Sequence, residues 1–248
     1  MKILDTRRIT GPSLFTSKSG AMLDVEVTDI RQEEVLQVWE KCVAYILNLI
    51  GWGNEKMKIR CYSGGISLYF SAPIDTLYSA CSVNEVIWDL TYSVLNGGEL
   101  FLDPEKLTEL KNEISDELNP PLLEMKKATR EHQVRFLQSD DIVSIGTGTG
   151  SRQFEVDSIP APDEIDWNQV SDVPVVLITG TNGKSTTCKI IEKILKIAKY
   201  NVKTVGNIGN PILSLKKTKK KCVFILEASS YQLQYSKLFR SKHAAILN

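Results

Sequence analysis

Residues 32–50 (QEEVLQVWEKCVAYILNLI) place Val35, Val38, Trp39, Cys42, Ile46 and Leu49 at helical spacing. That is the period of one buried face of an α-helix. Residues 57–72 (MKIRCYSGGISLYFSA) alternate instead, on either side of Gly64-Gly65, which predicts a β-hairpin. A second helix is expected over 75–95. A third is expected to begin at Asp103-Pro104, an N-cap side chain followed by a proline at the first helical position. Pro120-Pro121 should end it, because proline removes a donor and collides with the preceding turn. Residues 1–145 therefore read as a small α+β domain, with no catalytic constellation of their own.

The pattern changes after residue 172. VPVVLIT (173–179) reads as a buried strand and CVFIL (222–226) as a fully apolar one, NVKTVG (201–206) is a short strand, and HAAILN (243–248) is a final one. Strands without polar alternation are covered on both faces, as in a parallel sheet. KSTTCKIIEKILKIAK (184–199) is amphipathic, with Ile190, Ile191, Ile194 and Leu195 expected to face inward. The expected fold class is α/β: an incomplete P-loop-type parallel sheet with flanking helices in the C-terminal half, preceded by the α+β domain. Residues 146–172, rich in Gly, Pro, Ser and acidic residues, read as a linker between 1–145 and 173–248. Within it, the small residues of GTGTGS (146–151) could expose N–H groups to a phosphate. No amphipathic helix follows, so a flexible or turn segment is the expectation.

Composition narrows the function classes. Lys plus Arg and Asp plus Glu are both 30 in 248 residues, so the net charge is zero, which argues against a nucleic-acid partner. The five cysteines, Cys42, Cys61, Cys81, Cys188 and Cys222, are odd in number and include no Cys-x-x-Cys pair. Neither a disulfide framework nor a zinc site is indicated, and reduced thiols of a cytoplasmic protein are expected. Residues 1–5 lack the apolar core of a signal peptide, and no apolar run approaches the ~20 residues that span a bilayer, so no membrane partner is expected.

Candidate chemistry lies at Thr179-Gly180-Thr181-Asn182-Gly183-Lys184-Ser185-Thr186, where a buried strand turns into a helix. Glycines let successive N–H groups curl around one anion, and the positive end of the helix dipole points the same way. Lys184 would reach the β- and γ-phosphates, and Ser185 or Thr186 would bind Mg²⁺. The turn is shorter than G-x-x-x-x-G-K-[ST], since residue 178 is Ile where that pattern needs glycine. Glu227 follows CVFIL, so a parallel sheet would deliver its carboxylate to the same edge, where it could hold Mg²⁺. Ser229, Ser230 and Gln232 could bond a substrate, or the serines could cap a helix. The run Lys216 to Lys221 (KKTKKK) reads as a solvated loop, and His132 and His243 are isolated.

GTNGKST (180–186) resembles the ATP loop of the Mur ligases, which build the peptide of peptidoglycan and share this loop with folylpolyglutamate and cyanophycin synthetases. GNIGNPIL (206–213), EASSYQLQYSKLF (227–239) and AAILN (244–248) resemble the central domain of the D-glutamate-adding branch of that family. RRITGPSLF (7–15) and GTGTGSRQFEVDSIP (146–160) are similar instead to a less characterised Mur-ligase-like group related to cyanophycin synthetase, so residues 1–170 are not expected to match the D-glutamate branch.

The resemblance implies an ATP- and Mg²⁺-dependent ligase that phosphorylates a substrate carboxylate and lets an amino acid's amine displace phosphate. The implied substrate is of UDP-N-acetylmuramoyl type. It further implies that Thr179 to Thr186, Asn207 and Ser229 surround the nucleotide, that Lys184 stabilises the γ-phosphate, and that Glu227 with Ser185 or Thr186 holds the metal. The family's Asp-His motif would follow the strand matched by AAILN, whereas this chain stops at Asn248 and lacks the modified lysine of the second metal site. The expectation for this chain is nucleotide binding with weak or no ligase turnover. A cyanophycin-synthetase-like ligase, another phosphate-loop kinase or ATPase, and a non-catalytic ATP-binding protein are the alternatives.

Overall fold

The computed structural model describes residues 1–11, 13, 15–28, 31–206, 222–234 and 241–248. Asn207 and the run 216–221 lie outside the described residues. The chain divides into two compact units, Met1–Leu123 and Glu124–Asn248.

The first unit is an antiparallel sheet with helices. Its strands are β1 (Lys2–Ile9), β2 (Gly20–Glu26), β3 (Met57–Tyr62) and β4 (Gly65–Ser71), in the order β1-β2-β4-β3. The hairpin expected around Gly64-Gly65 is β3–β4, with Tyr62 paired to Gly65. Central β4 is buried along its whole length, whereas edge strand β1 carries charge and is at most half-buried. Helix α1 (Gln32–Leu49) buries Val35, Trp39, Cys42, Val43, Ile46 and Leu47. Helix α2 (Leu77–Leu95) follows β4, and α3 (Pro104–Glu117) starts as expected, with Asp103 accepting a 2.8 Å bond from the Glu105 N–H.

Pro120-Pro121 does more than end α3. It opens a further helix, α4 (Pro120–Glu131), because proline fits a first turn whose N–H groups have no intrahelical acceptor. Asn119 supplies the cap by accepting from the Leu122 N–H at 3.1 Å.

The start of α2 is capped from a distance. Its N-cap residue, Thr76, makes no side-chain cap bond. The Glu117 carboxylate instead accepts from the N–H of Tyr78 at 2.8 Å and from the N–H and hydroxyl of Ser79 at 2.7 and 2.6 Å. An anion on free N–H groups at the positive end of a helix is stabilising. Glu117→Ala should therefore cost about 1–2 kcal/mol in urea unfolding, and Glu117→Gln, which keeps one acceptor, should cost less.

The second unit holds two sheets. Strands β5 (Phe136–Gln138), β6 (Ile142–Ile145) and β7 (Arg152–Glu155) form a small antiparallel sheet. Strands β8 (Val175–Gly180), β9 (Asn201–Gly206), β10 (Cys222–Glu227) and β11 (His243–Leu247) form a parallel one in the order β11-β8-β10-β9. Helix α5 (Lys184–Ile197) follows β8, and the short α6 (Ser230–Gln234) follows β10. The expected fold class is borne out: a parallel sheet with helices, preceded by an antiparallel α+β region.

Residues 146–172 are built into this unit rather than forming a flexible connection. They supply β7 and four short 3-10 turns. Phe154, Ile159, Ile165 and Trp167 pack on Met125, Ile145 and Val170. GTGTGS lies against the segment that enters β8. A Cβ at Gly150 would fall 2.2 Å from Ser171 Oγ and 2.6 Å from its carbonyl oxygen. The Thr147 hydroxyl accepts from the Val173 N–H at 3.1 Å and lies 3.3 Å from the Asp172 carboxylate, which also accepts from the Arg135 N–H at 3.1 Å. The glycines there permit close backbone approach.

Helix α5 is rotated from the expected facing. Cys188, Ile191 and Leu195 pack with Ile178, Val202, Ile225 and Leu247 on one face of the parallel sheet. Ile190 and Ile194 are 54% and 57% exposed. Adjacent helical positions differ by roughly 100°, so four apolar residues in two adjacent pairs exceed the arc one sheet can cover. The opposite face of the sheet packs Leu177, Phe224, Leu226 and Ala228 with Leu233 of α6. Among the described residues, no helix is long and apolar enough to cross a membrane.

Candidate phosphate-binding site

The parallel sheet brings the carboxyl ends of β8, β9 and β10 to one edge, where ligands of open α/β sheets bind. The turn between β8 and α5 sits at that edge. Gly180 has φ +130° and Gly183, the residue before α5, has φ +77°; glycine enters both conformations without steric penalty. Thr179, at the end of β8, is buried, while Thr181 and Asn182 are exposed.

Five consecutive main-chain N–H groups, Asn182 through Thr186, donate to no acceptor among the described residues. The next, Thr187, donates to the Gly183 carbonyl at 2.9 Å and begins the α-helical ladder. Thr181, which precedes them, donates to the Leu247 carbonyl at 3.2 Å. The result is a short arc of free donors at the positive end of a 14-residue helix, an arrangement suited to an anion with several oxygens.

Lys184 bends back over this arc. Its ammonium donates to the carbonyls of Gly180 at 2.8 Å and Thr181 at 2.9 Å. Those bonds hold the turn closed and keep a positive charge beside the free N–H groups.

Of the two hydroxyls left open by the sequence, the structure brings Ser185 to Glu227. Ser185 Oγ donates to the Glu227 carboxylate at 3.1 and 3.3 Å, whereas Thr186 is exposed. Glu227 ends β10 at 4% exposure, paired between Ile178 of β8 and Gly206 of β9. Its negative charge adds to burial in pushing the Cys188 thiol up to about 11. Cys188 thus stays protonated at neutral pH and is no nucleophile.

Among the described residues, no three His, Cys, Asp or Glu side chains are grouped to hold a metal. A carboxylate beside a hydroxyl at a phosphate turn still fits Mg²⁺, which takes few protein oxygens and completes its shell with water and phosphate.

Ser229 caps α6, one of the two roles open to it in the sequence. Its hydroxyl accepts from the Gln232 N–H at 3.2 Å, and Gln232 Oε1 accepts from the Ser229 N–H at 2.9 Å. This reciprocal cap of α6 occupies both side chains. The contribution of Leu247 was not anticipated; it acts through its main chain, which side-chain patterns do not report.

The family model of the Mur ligase middle domain matches residues 178–248. Residues 178–248 resemble that domain. UDP-N-acetylmuramoylalanine--D-glutamate ligase of Idiomarina loihiensis is 32% identical over 160 residues, covering 58% of this chain and 35% of the relative. The ligase of the same name from Blochmanniella pennsylvanica is 45% identical over 82 residues, covering 33% of this chain and 18% of the relative. That of Buchnera aphidicola subsp. Acyrthosiphon pisum is 47% identical over 75 residues, covering 30% and 17%.

The chain thus spans about a third of the Idiomarina Mur ligase it matches, and less of the other two. The Idiomarina match covers more of the chain than residues 173–248 amount to. The likeness to the D-glutamate branch therefore reaches upstream of the phosphate turn, further than the sequence motifs indicated.

Proposed function

We propose that residues 173–248 bind magnesium–ATP and serve an ATP-dependent acid–amino acid ligase of Mur type. The observation that carries this reading is the arc of five unaccepted N–H groups beside Lys184, at the edge of a parallel sheet. The named relatives favour D-glutamate addition to UDP-N-acetylmuramoyl-L-alanine, a step of peptidoglycan precursor synthesis.

In this reading the N–H groups of Asn182 to Thr186 hold the terminal phosphates. The Lys184 ammonium shifts from the Gly180 and Thr181 carbonyls toward the γ-phosphate. Ser185 and Glu227 place Mg²⁺, which offsets phosphate charge when bound. Phosphoryl transfer depends chiefly on such positioning and charge neutralisation.

The test is calorimetric titration of the chain with ATP. Binding is expected with Mg²⁺ present, and weaker binding is expected in EDTA. Ser185→Ala should narrow that difference. No binding at millimolar magnesium–ATP would remove the reading.

A further inference from the structure

We propose that Leu247, at the carboxyl end of β11, is a positioning residue that presets the phosphate turn, so that the anion is held by the N–H groups of 182–186 and not by that of Thr181. This deepens the nucleotide reading above and rests on it. In the parallel pairing of β11 with β8, Ala245 lies opposite Ile178, Ile246 opposite Thr179, and Leu247 opposite Gly180. The ladder continues one bond beyond the end of β8, where the Thr181 N–H donates to the Leu247 carbonyl at 3.2 Å.

Gly180 makes this approach possible. A Cβ there would lie 1.9 Å from the Leu247 oxygen and 2.6 and 2.7 Å from its carbonyl carbon and nitrogen. The Leu247 side chain reaches the other end of the turn: a Cβ at Gly183 would lie 3.7 Å from Leu247 Cδ1. The same side chain packs in the cluster of Ile178, Cys188 and Ile225, so its place is set by the core.

The turn is therefore pinned at both ends before a ligand arrives. Thr181 is part of the sheet, and the curl that frees successive donors starts only at Asn182. Lys184 closes the loop by bonding the Gly180 and Thr181 carbonyls, which the β11 contact holds still. Ordering donors ahead of binding removes part of the entropic penalty of association. It also divides the turn's amides into one structural N–H and five for the ligand.

Amide hydrogen exchange on the native chain separates the two sets. Without nucleotide, the Thr181 amide should be protected while those of 182–186 exchange rapidly; magnesium–ATP should protect 182–186 and leave Thr181 unchanged. Leu247→Gly keeps the carbonyl but removes the side chain that seats it in the core, so it should lower Thr181 protection and weaken magnesium–ATP binding roughly fivefold to tenfold through lost preorganisation. Leu247→Met should restore both. The proposal fails if Thr181 exchanges as fast as its neighbours in the free native chain, or if a folded Leu247→Gly variant binds as the native does. If the native chain binds no magnesium–ATP, the nucleotide reading itself is lost, and this inference with it. Should Leu247→Gly not fold, the exchange pattern of the native chain decides alone.

Discussion

Lys184→Ala should weaken magnesium–ATP binding roughly 10- to 100-fold while leaving the chain folded. The estimate follows from the role of the ammonium. A hydrogen bond to a charged group contributes about 1.5–3 kcal/mol, and each tenfold in affinity is about 1.4 kcal/mol. In the free chain the same ammonium bonds two carbonyls of its own turn, the second at an exposed position. Water can take over those carbonyls, so the melting temperature without nucleotide should fall little. Lys184→Arg keeps the charge but replaces a compact ammonium with a planar fork that cannot sit over both carbonyls; it should bind with intermediate affinity. Calorimetry and thermal melts on the three chains check this. Equal affinity for native and Lys184→Ala would mean that the turn does not hold the phosphates.

What was legible in the sequence was whatever acts through side-chain type at fixed spacing. The phosphate turn announced itself because glycine, lysine and hydroxyl residues follow a buried strand. The hairpin at Gly64-Gly65 and the cap at Asp103 were equally local. Strands β1 and β2 were not foreseen. KILDTRRI carries four charged residues in eight, and as an edge strand it is held by pairing with β2 rather than by an apolar face. For residues 146–172 the sequence leaves flexible and turn readings open, because glycine and serine serve tightly packed turns as well as flexible ones. Only the distance from Gly150 to Ser171 tells the two apart. Ser229 was read as a candidate ligand group as well as a cap, and its bonds to Gln232 favour the cap. Leu247 had no signature, since a carbonyl is common to every residue.

Gly180→Ala should be the most damaging single-methyl change in the second unit, losing both stability and nucleotide binding. The three atoms nearest the added carbon would be the backbone oxygen, carbon and nitrogen of Leu247, so no side-chain rotamer change can relieve the clash. β11 must move away from β8, breaking the Thr181 bond and opening the cluster of Ile178, Cys188 and Ile225 in which Leu247 packs. Holding alanine at φ +130° adds strain of about 1–3 kcal/mol. Together these should lower stability by roughly 3 kcal/mol or more, in the range reserved for named packing and backbone faults. Asn182→Ala provides the contrast. Its side chain is exposed and makes no bond among the described residues, so stability should stay within about 0.5 kcal/mol of native. Urea unfolding followed through the second unit, with magnesium–ATP calorimetry on the same samples, separates the cases. Lys184→Ala loses the ligand and keeps the fold, Gly180→Ala loses both, and Asn182→Ala keeps both. A Gly180→Ala chain with native stability would show that β11 does not close on the turn as described.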